Sequence, residues 1–346
     1  MKEVYLHIGM HKTGSSSLQE ALACLSSNKF QYCDLMHPNH SMAFYTLFSK
    51  NYLNYHEWQK QGWGVDEIIQ RREEYLQIFN KHLGCSGNQK IIFSAESISL
   101  LKDDEKKDLI TFFKDHGCEI NIICYVRDPL SFAYSSFQQD IKSGSINIKE
   151  RYSPNYLLRI DEFKKNPLIN KLIVRNFNQL KDNNTVSDFF NLLGIDDSHK
   201  KDFFSNKSLS ISALKIIFLL NKHLTKYLNN LNSYESRLKF INLIEKTFQQ
   251  DDRKYREYFC LNIDYGEVSY LRDQFSINYK INDKRKTDSV DNTLSRLEDL
   301  SDVDSAGLTN LAKDVGVECT GGNPESWIIS IYEFFLRINE SPPTDS

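Results

Sequence analysis

Val4-Tyr5-Leu6-His7-Ile8-Gly9-Met10-His11-Lys12-Thr13-Gly14-Ser15-Ser16-Ser17-Leu18-Gln19 decides how this chain is read. A β-branched and aromatic run ends in a turn bounded by Gly9 and Gly14, the pattern of a strand followed by a tight loop. Beyond it Leu18, Ala21, Leu22 and Leu25 fall at i, i+3, i+4 and i+7, the single apolar face of an amphipathic helix. Such a turn brings backbone N–H groups, the hydroxyls of Ser15, Ser16 and Ser17, and Lys12 to the positive end of a helix. That arrangement cradles an anion, with phosphate or sulfate as its natural guest. The same spacing also serves an ordinary strand–turn–helix corner, in which glycine supplies backbone freedom alone.

The position of the lysine distinguishes two kinds of cradle. A nucleotide triphosphatase loop places lysine directly after the second glycine. Here Ser15 takes that slot and Lys12 precedes Gly14. A second segment repeats the strand-to-loop theme. Glu119-Ile120-Asn121-Ile122-Ile123-Cys124-Tyr125-Val126 reads as a buried strand and runs into Arg127-Asp128-Pro129, with proline suited to the first turn of a new helix. Ser135 follows eight positions after Arg127. A planar guanidinium grips phosphate with two parallel N–H donors, and a serine hydroxyl adds a neutral one. An Arg-Asp pair capping a strand end is the structural alternative.

Lys12-Thr13-Gly14-Ser15-Ser16 resembles the 5′-phosphosulfate loop of sulfotransferases that use 3′-phosphoadenosine 5′-phosphosulfate (PAPS), and Tyr125-Val126-Arg127-Asp128-Pro129 through Ser135 is similar to their 3′-phosphate motif. Weaker similarity to bacterial-type members continues through Leu172–Phe177, Asp188–Ile195, Asn206–Ser210 and Phe275–Asn278, to about residue 282. The resemblance implies a P-loop-like α/β sandwich of three layers around a central parallel sheet. It also implies PAPS as co-substrate, adenosine 3′,5′-bisphosphate as product, and no metal. His11, Lys12, Thr13, Gly14, Ser15, Ser16, Ser17, Arg127 and Ser135 would then bind the donor, with Lys12 also catalytic. The acceptor would be a hydroxyl or amine of a saccharide or small metabolite. One departure stands out: Ser17 occupies the place where cytosolic members carry an adenine-stacking tryptophan.

An acceptor hydroxyl needs a base. Glu96, in Ser94-Ala95-Glu96-Ser97 just past the strand Lys90–Ser94, stands at the strand edge where the donor belongs, the side on which related carbohydrate sulfotransferases place a glutamate. Equally, it suits the first turn of a following helix as a dipole-favoured carboxylate. His40 is the second candidate, because imidazole titrates near neutral pH, although a loop histidine is ordinarily just exposed. His7, inside the first strand, reads as a satisfied core residue. Phe44, Tyr45, Tyr52, Tyr55, Trp58 and Trp63 supply aromatic faces for a sugar or ring, with core packing as the more ordinary use.

Strands at Lys90–Ser94, Glu119–Val126 and Lys171–Arg175 join the first, with helical patterns near Asp103–His116 and Thr185–Leu193, the latter closed by Gly194. Strand–helix–strand units imply parallel crossovers and an α/β fold. Past about residue 205 the periodicity is helical: Ser210–Leu228, Tyr234–Gln249 and Gly266–Ile281. The chain thus reads as a 1–282 domain with a helical C-terminal half, then a 283–346 extension. That extension opens as a solvated linker, gains a helix at Pro324–Ile338 and ends in a disordered tail at Ser341–Ser346.

The 346 residues carry a net charge of −3, so there is no general basic field for nucleic acid or an anionic membrane. The chain opens straight into a strand with no leader-like segment and no spanning apolar run, which points to a cytoplasmic protein without an anchor. Seven scattered cysteines, none in a C-x-x-C pair, read as reduced thiols in core positions and not as a disulfide frame or metal site. Two other readings remain: a nucleotide phosphotransferase built on the same cradle, and a non-catalytic module that binds 3′-phosphoadenosine.

Overall fold

The computed structural model describes residues 2–84, 90–196, 208–224, 231–249, 251, 253–281, 290–318 and 323–340. The chain divides into two compact units that are interleaved in sequence. The first comprises Met1–Asp128, Pro154–Asn206 and Tyr265–Lys280, and the second Pro129–Ser153, Lys207–Asp264 and Ile281–Ser346.

The first unit is an α/β sandwich. Its strands are β1 (Lys2–His7), β2 (Phe30–Tyr32), β3 (Lys90–Ser94), β4 (Cys118–Val126) and β5 (Ile169–Asn176). They pair in the order β2-β3-β1-β4-β5, and every pairing is parallel. Successive side chains of a strand face opposite ways, and both faces here are apolar, as a parallel sheet covered by helices requires. Ile92, Ile123 and Tyr125 pack with Leu18, Ala21 and Leu22 of helix Ser15–Ala23 and with Val186, Phe189 and Phe190 of helix Thr185–Leu193. Phe93 turns to the other face, where its ring meets Phe44, Phe79 and Phe113 at 5.2–5.6 Å. Those three rings come from helices Ser41–Phe48, Val65–Gly84 and Asp103–Asp115. Helices therefore cover both sides of the sheet.

The strand order places the functional edge. The chain leaves β1 toward β2, returns to β3, and then crosses β1 to form β4. β3 and β4 flank β1, so the three loops leaving their carboxyl ends emerge side by side, where open parallel sheets hold ligands. β2 adds a strand that the sequence pattern misses; three residues are too few to show a period.

The second unit is helical. Helices Pro129–Lys142, Ile211–Leu224, Leu231–Thr247, Val290–Glu298, Ser305–Val315 and Pro324–Glu340 belong to it. Its core joins Phe137, Leu214, Phe218, Phe240, Leu297, Leu311 and Ile331. The solvated linker expected beyond Asn282 is corrected here. Residues 282–289 lie outside the described residues, but Val290–Glu298 and Ser305–Val315 are helices that bury Leu297, Leu308, Leu311 and Val315. The helix expected at Gly266–Ile281 is only Val268–Phe275, which ends where Ser276 takes a left-handed conformation with φ of 57°. The tail read as disordered, Ser341–Ser346, lies outside the described residues, as do Asn206 and Lys207. Among the described residues no helix is long and apolar enough to cross a membrane.

Candidate functional site

The loop after β1 stays on the sheet before it turns. Ile8 donates to the Ile123 carbonyl at 3.0 Å, Met10 to that of Tyr125 at 2.9 Å, and Tyr125 donates back to Gly9 at 2.7 Å. Gly9 and Gly14 have φ of 88° and 78°, and Lys12 between them is also left-handed at 69°. Both glycines have a steric reason as well. A Cβ on Gly9 would lie 3.3 Å from Glu96 Cγ, and one on Gly14 would lie 2.9 Å from Thr185 Oγ1. Gly14 is the N-cap of helix Ser15–Ala23 and brings no capping side chain, so the first-turn N–H groups face the loop without a side-chain acceptor from the cap.

The hydroxyls of this loop divide. Thr13 is fully buried and donates to the Met10 carbonyl at 2.7 Å; Ser15 donates to the same oxygen at 3.3 Å. In this arrangement both hydroxyls turn back onto the loop's own backbone and help shape it. Ser16 is exposed and Ser17 is buried.

Arg127 leaves β4 and reaches the loop directly. Its guanidinium donates to the Lys12 carbonyl at 2.8 Å and lies over the Phe177 ring, 5.3 Å from the centroid. Asp128 exchanges hydrogen bonds with Asn178, taking 2.6 Å and giving 2.9 Å. The loop is held from another side by Thr185, which donates to the Thr13 carbonyl at 2.6 Å. Ser135 belongs to the second unit, half-buried on helix Pro129–Lys142.

Glu96 opens the 3-10 turn Glu96–Leu100 after β3, half-buried against Gly9. It is thus both the first-turn carboxylate and a neighbour of the loop. His11 stands near it, half-buried, with Nδ1 3.5 Å from Arg159. Burial lowers the His11 pKa, Glu96 opposes that shift, and the positive charges of Arg159 and Lys12 reinforce it.

His40 is not an exposed loop residue. It is 1% exposed, its ring stacks on Tyr32 at 4.4 Å, and Nδ1 accepts from the Ser94 N–H at 3.3 Å. Burial pushes its pKa down to about 3. The ring that the sequence offers as a second base candidate therefore sits in the core between Tyr32 and Ser94, not on an open loop. His7 is likewise fully buried and lowered to about 3 by burial, with Nδ1 2.7 Å from Ser94 Oγ. It is only half satisfied, since Nε2 of both histidines is without a hydrogen-bond partner.

Phe44 and Trp58 are core, whereas Tyr45 and Tyr55 are half-buried and stack on one another at 4.3 Å. Among the described residues no cluster of three or more His, Cys, Asp or Glu side chains has a metal-holding arrangement. Cys33, Cys118 and Cys124 are free thiols in buried positions; Cys24, also free, is exposed, against the expectation of core positions.

The chain matches no family model and no curated protein. The site is therefore defined by its own geometry: the ends of β3, β1 and β4 bring Glu96, His11, Lys12, the helix N-terminus and Arg127 to one edge. Arg159, Thr185 and Phe177 join them without having been singled out in the sequence. Arg159 did leave a signal, a cation on the apolar stripe of Tyr156, Ile160 and Phe163.

Proposed function

We propose that this chain is a PAPS-dependent sulfotransferase acting on a hydroxyl or amine of a saccharide or small-metabolite acceptor in the cytoplasm. The observation that carries the reading is the 2.8 Å hydrogen bond from Arg127 to the Lys12 carbonyl, which joins the two anion-binding motifs. The donor set suits a nucleotide charged at both ends. Lys12 and the N–H groups of Ser15–Ser17 hold the 5′-phosphosulfate, and Arg127 holds the 3′-phosphate. Free thiols such as Cys33 and Cys124 fit a reducing compartment.

The bound donor supplies a sulfuryl group whose bond to the 5′-phosphate oxygen breaks as the acceptor oxygen bonds to sulfur. Glu96 takes the proton that the acceptor oxygen releases. Lys12 and the helix N-terminus stabilise the charge that the leaving phosphate gains. His11 donates an N–H to the transferring group's oxygens, whose charge spreads as in phosphoryl transfer.

A thermal-shift panel followed by a transfer assay tests this. At a hundredfold excess over its dissociation constant, adenosine 3′,5′-bisphosphate raises Tm by roughly 5 °C, and ATP with Mg²⁺ has little effect. The reverse order points to a phosphotransferase. Tight bisphosphate binding with no sulfated product from any acceptor in a host extract points to a non-catalytic binding module.

A further inference from the structure

Arg159 is 6% exposed, on helix Tyr156–Lys165, and the stripe it shares with Tyr156, Ile160 and Phe163 is otherwise apolar. Its Nε donates to the Pro154 carbonyl at 2.8 Å, and one terminal nitrogen donates to Ser99 Oγ at 2.8 Å and faces His11 Nδ1 at 3.5 Å. Every one of these partners is neutral. The carboxylates of Glu96 and Glu267 act on it only through space. A buried cation held by neutral acceptors is a costly way to join two segments, because desolvation goes uncompensated by a paired carboxylate. A helix that only needed packing here would carry an apolar side chain.

The contacts lead to the site from both directions. Ser99, which accepts from Arg159, donates in turn to the Glu96 carbonyl at 2.9 Å. The same guanidinium nitrogen therefore touches the turn that carries Glu96 and the ring of His11 in the loop after β1. An Arg–Nδ1 contact of this kind requires Nδ1 to be an acceptor, which leaves the ring proton on Nε2.

We propose that Arg159 is a positioning residue: its guanidinium locks the Glu96 turn and the His11 ring in register and fixes His11 as an Nε2–H donor. This inference rests on the sulfotransferase reading. Through Glu96 it sets the base against the acceptor, and through His11 it presents an N–H to the group in transfer. It touches neither substrate. Lysine cannot replace it, because a single ammonium lacks the planar fork that spans Ser99, Pro154 and His11.

Arg159→Lys, Arg159→Met and Ser99→Ala, compared with the unaltered enzyme by steady-state kinetics and by calorimetry with adenosine 3′,5′-bisphosphate, test it. In Arg159→Lys, kcat falls about 100-fold while bisphosphate affinity stays within about twofold, the signature of a displaced catalytic group. Ser99→Ala, which removes one hydroxyl and no charge, loses roughly fivefold in kcat by the same route. The groups acting on His11 are Glu96, Arg159, Lys12 and His56. Removing the Arg159 charge lets His11 protonate at higher pH, so in Arg159→Met the His11 ring titration, followed by NMR, moves upward. In Arg159→Lys, where a positive charge remains, it moves less. Unchanged kcat in both Arg159→Lys and Ser99→Ala, with bisphosphate binding intact, overturns the proposal. These two variants decide the matter if Arg159→Met does not fold. If the unaltered enzyme neither binds the bisphosphate nor transfers sulfuryl, the parent reading fails instead, and this one falls with it.

Discussion

Two buried cations, one in each unit, are treated in opposite ways. Lys215 of the helical unit is fully buried. Its ammonium donates to Tyr258 Oη at 2.5 Å, to the Asp299 carbonyl at 2.6 Å, and to the Asp302 carboxylate. Arg253 then bridges Asp302 to Asp251, and Asp251 also accepts from the Ser212 N–H and hydroxyl. Burial works against ionisation of Asp251, but Arg253 and Ser212 hold its carboxyl well below the usual range. This network is closed and ties the turn at residues 299–303 to helix Ile211–Leu224. Arg159 of the sheet unit has neutral partners only, and two of its contacts lead to the loop and to Glu96. A charge compensated on every side serves the fold. A charge left without a carboxylate beside a strand-end loop serves a site.

The contrast makes separable predictions. The largest effect belongs to the sheet unit. Lys12→Ala and Glu96→Gln each lower kcat about 1,000-fold, and Tm stays within about 2 °C of the unaltered protein, since neither side chain belongs to the core. A fall in Tm matching the loss of rate would place both residues in the fold instead.

Asp302→Ala does the opposite. It leaves Lys215 buried without its carboxylate and costs about 2–3 kcal/mol in urea unfolding, the low end for a broken buried pair because Asp302 is itself one-third exposed. Affinity for adenosine 3′,5′-bisphosphate is unchanged in that variant. A loss of nucleotide binding would erase the distinction between the two networks.

Acid sharpens the comparison further. His7 and His40 are held near a pKa of about 3 in the folded sheet unit, against an ordinary value of about 6.5 once unfolded. As pH falls below about 6.5, the unfolded chain takes up protons that the folded chain refuses. Stability is therefore full above that pH and declines toward pH 3, by up to about 1.4 kcal/mol per pH unit for each histidine. Urea unfolding at pH 7.5 and pH 5 measures it, and equal stability at the two values would contradict the burial argument. The smallest effect is Thr185→Ala, which removes the 2.6 Å bond to the Thr13 carbonyl and costs about 1 kcal/mol.

What could be read in the sequence was what is local. The turn from Gly9 to Gly14, the proline after Arg127 and the Gly194 C-cap each announce themselves within a few residues, and Gly194 does take the left-handed conformation. The parallel sheet followed from strand–helix alternation. β2 stayed hidden because its partner Lys90 lies sixty residues away and its own three residues carry no pattern. Helices Val290–Glu298 and Ser305–Val315 were masked by polar composition, although Leu294, Leu297, Leu308, Leu311 and Val315 hold helical spacing. His40 was misjudged for a tertiary reason: its burial depends on Tyr32 and on Ser94, which no local window contains. Arg159 was not singled out in the sequence, and only the fold brings it to His11.

The central claim is that one nucleotide is clasped at both of its charged ends, and calorimetry with two nucleotides tests it most directly. The protein should bind adenosine 3′,5′-bisphosphate more tightly than adenosine 5′-monophosphate. Arg127→Ala should weaken the bisphosphate by about 10- to 100-fold and abolish that preference, while the monophosphate is barely affected. Equal affinity for the two nucleotides in the unaltered protein, or a bisphosphate affinity indifferent to Arg127, would contradict the account.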